Sequence, residues 1–148
     1  MSNGTKLFTI GFTKKNARTF FELLKTYGIN RLIDIRLNNV SQLAGFTKKD
    51  DLEYFLKTIC NIEYLHIVSL SPTDELLRKY KMKIIDWDAY EREFNELLRS
   101  RKPEDIIGIE KLANSCFLCS EPTSDKCHRR LVAEYYKKIY PEIEIIHI

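Results

Sequence analysis

The chain has no long apolar run. None of its apolar stretches approaches the ~18 residues that a membrane-spanning helix needs, so no span is expected. Its opening, MSNGTKLFTIGF, enters a β-rich run directly and has neither the long apolar core nor the small-residue cleavage site of a secretory signal. A soluble cytoplasmic protein is the expectation, with its four cysteines as thiols rather than bridges. A glycine-rich dinucleotide fingerprint is also missing, because TIGFTKKN lacks G-x-G-x-x-G. Hydrolysis or group transfer is thus a better expectation than redox chemistry, and no cofactor is expected. Internal repeats, linkers and low-complexity tracts are absent, which leaves a single domain over 1–148. Charge of one sign is scarce too: 24 Lys and Arg stand against 21 Asp and Glu, a net of +3. Such mild basicity permits contact with a nucleotide or nucleic acid but does not argue for a dedicated nucleic-acid binder.

What the chain does have is an ordinary globular composition, 44% apolar and 30% charged. A chain of this length buries roughly 68–70% of its unfolded surface and needs neither a disulfide nor a metal to fold. Its Lys-, Glu- and Ile-rich character would suit a thermophile.

Strand and helix patterns alternate from end to end. KLFTIGF (6–12) is β-rich and punctuated by Gly11. In 16–28, Ala17, Phe20, Phe21, Leu24 and Tyr27 recur at helical spacing before the Gly28 stop. RLIDIR (31–36) is a second strand, and Thr47 to Asp50 resembles a capping box that opens a helix through Ile59. IEYLHIV (62–68) is a third strand. Ser71-Pro72-Thr73-Asp74 starts another helix, and Asp86 caps the next. A short helix is expected within 103–115, a strand at 116–120, a helix at 127–140 stopped before Pro141, and a last strand at 143–148. Short strands apolar on both phases, joined by helical crossovers, predict a three-layer α/β domain. Its mostly parallel sheet of about five strands would be covered by helices on both faces. The longest irregular piece, 37–47, has the length of a functional loop.

In an open parallel sheet, ligands bind beyond the carboxyl ends of the strands. That rule selects Gly11, Phe12 and Thr13 after the first strand, and Asp34 and Arg36 at the end of the second. After the fourth it selects Glu121 and the loop into Cys127, His128 and Arg129. Asp34 and Arg36, two apart, share one face of an otherwise apolar strand. Either they pair with each other, or Arg36 offers its fork to a phosphate or carboxylate.

The stretch CFLCSEPTSDKCHRR (116–130) holds three cysteines and a histidine. Zinc is disfavoured by position: on a strand, Cys116 and Cys119 point to opposite faces, and adjacent Cys127 and His128 seldom ligate one ion. A phosphatase-type loop fails on spacing, since Asp125 stands where Cys119 would require an arginine. A helix start remains. With Ser124 or Asp125 as cap, Cys127 and His128 fall in the first turn, where free amides and the helix dipole favour an anion. Lys126, Arg129 and Arg130 add cations at that end, a placement that makes sense with an anion bound. A cysteine there is expected to have a lowered pKa. His128 is in register with Val132, Tyr135 and Ile139, the stripe expected to face the sheet; Arg129 sits between that stripe and the solvated Arg130 side. Cys60 and Cys116 read as core, and the tyrosines at 135, 136 and 140 as packing.

These residues are similar to a known family. Thr9-Ile10-Gly11, Asp34-Ile35-Arg36, Leu118-Cys119-Ser120-Glu121, Cys127-His128-Arg129-Arg130 and the closing His147-Ile148 resemble, in order, the family of domain of unknown function 488. The resemblance implies a single α/β domain in a small, mostly prokaryotic cytosolic protein, and brings no established reaction. Two departures stand out: Phe12-Thr13 replaces the family's His-Ser, and Leu37-Asn38-Asn39 replaces its proline region.

Together the readings predict an enzyme acting on an anionic or nucleotide-like substrate. Cys127 is the candidate nucleophile with His128 as proton partner, and Glu121 and Asp34 are acid/base or orienting groups. Arg36, Arg129, Gly11 and Thr13 would hold the anion. A non-catalytic nucleotide-binding module using the same cradle is the alternative, and a metal-binding protein the third.

Overall fold

The computed structural model describes residues 4–39, 45–120 and 124–148. Five strands, β1 (Thr5–Gly11), β2 (Arg31–Asp34), β3 (Glu63–His66), β4 (Ser115–Cys119) and β5 (Ile143–His147), form one sheet in the order β3-β2-β4-β1-β5. Every pairing is parallel. Five helices cover it: α1 (Ala17–Thr26), α2 (Lys49–Phe55), α3 (Asp74–Lys81), α4 (Trp87–Arg101) and α5 (His128–Ile139). The expected α/β architecture is therefore present, with an all-parallel sheet. No helix is long and apolar enough to cross a membrane, among the described residues.

The strands sort their side chains by parity. Phe8, Ile10, Leu32, Cys116 and Leu118 pack with Phe20, Phe21 and Leu24 of α1 and Leu52 of α2. Leu7, Ile33 and Phe117 pack on the other face with Phe94 and Leu98 of α4 and Val132, Ala133 and Tyr136 of α5. Alternation at a period of two makes the sheet a partition between two cores. The connections leaving β1 and β2 carry α1 and α2 on the first face, and that leaving β4 carries α5 on the second. The loops at the carboxyl ends of β4 and its two neighbours thus diverge to opposite faces, opening a crevice of the kind where parallel sheets bind ligands.

The helix starts differ from expectation in detail. Thr47 does not cap α2; Lys48 holds the cap position with no side-chain bond, while buried Thr47 gives its carbonyl to Arg36. Thr73 rather than Ser71 caps α3, accepting from the Leu76 amide. The Ser71 hydroxyl instead donates to the Val68 carbonyl. Asp86 caps α4 as expected, accepting from the Ala89 amide. The short helix expected in 103–115 resolves into two 3-10 turns, Pro103–Asp105 and Ile109–Lys111, because extended Gly108 (φ −89°, ψ 176°) interrupts it.

In α5 the sheet-facing stripe is shifted by about one residue. Arg129, Val132, Ala133 and Tyr136 are buried, whereas Ile139 is exposed. Arg129 is thus 1% exposed rather than intermediate between stripe and solvent. Arg130 lies on the outer side, paired with Glu134 and Glu91.

Candidate functional site

A cavity of about 370 Å³ opens at the carboxyl edge of the sheet. Phe12 and Thr13 line it after β1, Arg36 to Asn38 after β2, Cys119 and Ser120 at the end of β4, and Lys126 to His128 at the start of α5. Segments far apart in sequence thus meet where the topology predicts. The opposite wall comes from α3 and α4: Tyr80, Lys81, Trp87 and Tyr90. Trp87 stacks on Tyr90 with centroids 5.1 Å apart.

One side of the site is a buried ionic knot. Asp34 Oδ1 accepts from the Arg36 amide at 3.1 Å and from Nε at 2.8 Å. Its Oδ2 accepts from Arg36 Nη2 at 2.7 Å and from the Tyr64 hydroxyl at 2.6 Å. Arg36 Nη2 also donates to the Thr47 carbonyl. The carboxylate is fully buried. With four donors on two oxygens it is an orienting group for Arg36 rather than a free acid or base. The local pairing weighed for Asp34 and Arg36 therefore forms, yet Arg36 still reaches the cavity, its Cζ 5.4 Å from the Phe12 ring centre. Burial, and then the neighbouring Asp34 charge, push the Tyr64 hydroxyl pKa well up, so it stays a donor. His66 Nε2 faces the Arg36 carbonyl at 2.8 Å and must carry the proton; Nδ1 then accepts from Asn39.

The other side is a sulfur–nitrogen cluster. Cys119 shares the parity of Phe117, so its side chain faces α5. It pairs in register with Gly11. Cys127 is the N-cap of α5, with extended backbone (φ −139°, ψ 141°) and no side-chain cap. Neither Ser124 nor Asp125 takes that role; Ser124 accepts from the Cys127 amide in a turn. The Cys119 and Cys127 sulfurs are joined as a disulfide across a Cα–Cα distance of 7.4 Å. The expectation of four thiols is corrected here: the eight-residue return from β4 to α5 brings one cysteine over the other.

His128 lies against both. Its Nε2 sits 2.7 Å from the Ile35 carbonyl. Only a protonated nitrogen makes that contact, so Nδ1 carries the lone pair. Nδ1 is 3.4 Å from Cys119 Sγ. The histidine expected to serve Cys127 therefore meets Cys119. Burial pulls its pKa down to about 4, the Arg129 cation acting the same way against the bond to Ile35. The imidazole is neutral near pH 7, and the Phe94 ring packs against it at 5.7 Å.

Arg129 lies behind the sulfurs rather than on the cavity wall. Its Nε donates to Thr9 Oγ1 at 3.2 Å, and its Nη1 lies 3.8 Å from Cys127 Sγ. A guanidinium there stabilises a thiolate when the pair is reduced. Thr9 in turn bonds His147 Nδ1.

The remaining candidates separate. Thr13 stands on the cavity wall, its amide bound to the Ser120 carbonyl. Gly11 is buried in β1 beside Cys119. Glu121 lies outside the described residues. Cys116 is buried on the far side of the sheet, where burial pushes its thiol pKa strongly up. Cys60 is half-buried rather than core. Sequence reasoning did not assign Cys119 a part in the chemistry, although its place as the last residue of a strand, in phase with Phe117, was the signal. The aromatic wall from α3 and α4 carried no such signal.

Cys119, Cys127 and His128 also bring one ligand atom each to within 4.8 Å of one another. Position along β4 correctly separates Cys116 from Cys119, but Cys127 and His128 do converge. The backbone turns from extended to helical between them, so consecutive side chains aim at one point.

No curated protein and no solved structure matches the chain. One family model does, over residues 16–136, a span that contains Asp34, Arg36 and the whole of the sulfur cluster. By that match, the chain belongs to the family of domain of unknown function DUF488.

Proposed function

We propose that this protein is an enzyme acting on an anionic, nucleotide-like substrate in the carboxyl-edge cavity, by hydrolysis or group transfer. The observation that carries the reading is the composition of that one cavity. Reactive groups (Cys119, Cys127, His128), cations (Arg36, Lys81, Lys126) and aromatic faces (Trp87, Tyr90) all line it. Cations neutralise a phosphate or carboxylate, and an aromatic wall offers area to a flat ring. The neutral imidazole with a fixed tautomer turns its Nδ1 lone pair toward the sulfur cluster. Arg129 tunes that cluster from behind, and the Asp34 carboxylate holds Arg36 in place.

Trp87 is the single tryptophan of the chain, and it lines the cavity. Titration with inorganic phosphate and with nucleoside mono- and diphosphates should therefore change its fluorescence saturably. Lys126→Ala and Lys81→Ala should weaken the response, and added salt should weaken it further. A screen of phosphoesters and nucleotides then reads turnover. Binding with no turnover of any bound compound would reduce the reading to a binding module. No fluorescence response to any anion, with the protein folded, would overturn it.

A further inference from the structure

The sulfur–nitrogen cluster has a geometry that thiol chemistry does not require. We infer that, as a dithiol, Cys119 and Cys127 join His128 to hold one divalent, sulfur-preferring cation such as zinc, with a fourth position facing the cavity. The inference rests on the cavity being the substrate site and says what its reacting centre is made of.

Ligand distances come first. Bond lengths of about 2.3 Å to sulfur and about 2.0–2.1 Å to nitrogen, at tetrahedral angles, put a sulfur and a nitrogen about 3.6 Å apart. They put two sulfurs about 3.8 Å apart. Cys119 Sγ and His128 Nδ1 are 3.4 Å apart, and all three ligand atoms fall within 4.8 Å. The Cα atoms of the two cysteines are 7.4 Å apart, beyond the range of about 4.4–6.8 Å usual for disulfides. That separation leaves room for an ion between the sulfurs once they part.

The imidazole is also prepared for a metal. Ligating histidines as a rule donate their other ring N–H to a carbonyl or carboxylate, which fixes tautomer and ring plane. His128 does this through Nε2 to the Ile35 carbonyl, leaving the Nδ1 lone pair toward the sulfurs. Arg129 beside Cys127 favours the deprotonated ligand.

Coordination number completes the case. Structural zinc sites close with four protein ligands, whereas sites that work on substrates keep three and leave one position open. Among the described residues this group has three metal-type ligands, and all three line the cavity. The fourth position would take a water or an oxygen of the bound anion.

The test uses full-length protein reduced with a phosphine, stripped of metal, and titrated with Co²⁺ and Zn²⁺. The expected result is uptake of one ion per chain, with thiolate-to-cobalt charge-transfer absorption in the near ultraviolet. Cys119→Ser, Cys127→Ser and His128→Asn should each weaken uptake by at least roughly 100-fold, beyond the 10–100-fold typical of losing an outer partner. Cys116→Ser and Cys60→Ser should leave it unchanged. Lack of a charge-transfer band in reduced wild-type protein would overturn the inference, whatever the variants do. So would a band that survives all three ligand variants or follows Cys116. Trp87 titration with phosphate on the metal-free protein keeps the two readings apart. A response without metal uptake sinks only the metal site, and metal uptake without any anion response sinks the substrate reading.

Discussion

Removing the Asp34 carboxylate should be the most damaging single change near the site that leaves the sulfur cluster untouched. Asp34→Asn keeps the shape and deletes the charge. Arg36 then remains with its side chain about 5% exposed and its cation uncompensated. Breaking a buried ion pair from one side costs about 3–5 kcal/mol, because the surviving charge stays desolvated. The new amide also presents an N–H toward donors. Arg36 and Tyr64 place four donors on the carboxylate, and at least one must lose its acceptor. A domain stable by about 5–15 kcal/mol would lose a large share of that. Urea unfolding followed by circular dichroism measures it, with the m-value checked for two-state behaviour. The double variant Asp34→Leu with Arg36→Met removes both charges and should recover most of the loss, since apolar replacement of a buried pair is often near neutral. A loss under ~1 kcal/mol for Asp34→Asn, or a double variant no better than the single, would refute the argument that the knot is buried and interdependent.

The remaining predictions concern the sulfurs, the imidazoles and a helix start. After reduction, iodoacetamide at neutral pH should label Cys127 and Cys119 ahead of Cys116, which is fully buried and should react only on unfolding; peptide mass spectrometry at timed quenches decides it. In the disulfide-linked, metal-free protein, stability should be flat above about pH 6.5 and fall as the pH drops toward about 4. Both His128 (held near 4 by burial) and His147 (lowered by burial and Arg129) take up a proton more readily when unfolded. The His128 share is roughly 3 kcal/mol. His147→Gln should shallow that acid limb in denaturant titrations at successive pH values, and an unchanged slope would show that His147 takes no part. Thr73→Ala deletes the α3 cap and should cost about 1 kcal/mol, whereas Ser71→Ala should not unwind α3, whose cap it does not supply.

The architecture was readable because it depends on features that survive averaging along the chain. Strand runs apolar on both phases demand two covered faces, and Ile33 and Leu32 do go to opposite cores. What could not be read was which of several small polar residues takes a helix start. Thr47 and Lys48 differ by one position, and Thr47 is instead engaged through its carbonyl by Arg36, which lies just past the end of β2. Segment 103–115 reads as one short helix, but extended Gly108 splits it into two turns, and the Tyr136 hydroxyl donates to the Ile107 carbonyl beside that break.

The site divides along the same line. Of the residues that the sheet edge alone selects, Phe12, Thr13, Arg36, Cys127 and His128 line one cavity, whereas Gly11, Asp34 and Arg129 are not on its wall and Glu121 lies outside the described residues. Their chemical pairing was not readable, because it turns on rotations of one helical position. Had α5 begun at Ser124 or Asp125, Cys127 would lie inside the first turn and His128 on a different azimuth. Beginning at His128, the helix sets Arg129 inward and turns Cys127 over the end of β4. Only then does Cys119, the last residue of β4, come within 3.4 Å of the imidazole. A shift of two or three residues in a helix start thus converts an isolated thiol beside a base into a pair of sulfurs around a shared nitrogen. That is the difference between a site limited to thiol chemistry and one with the donors to hold an ion.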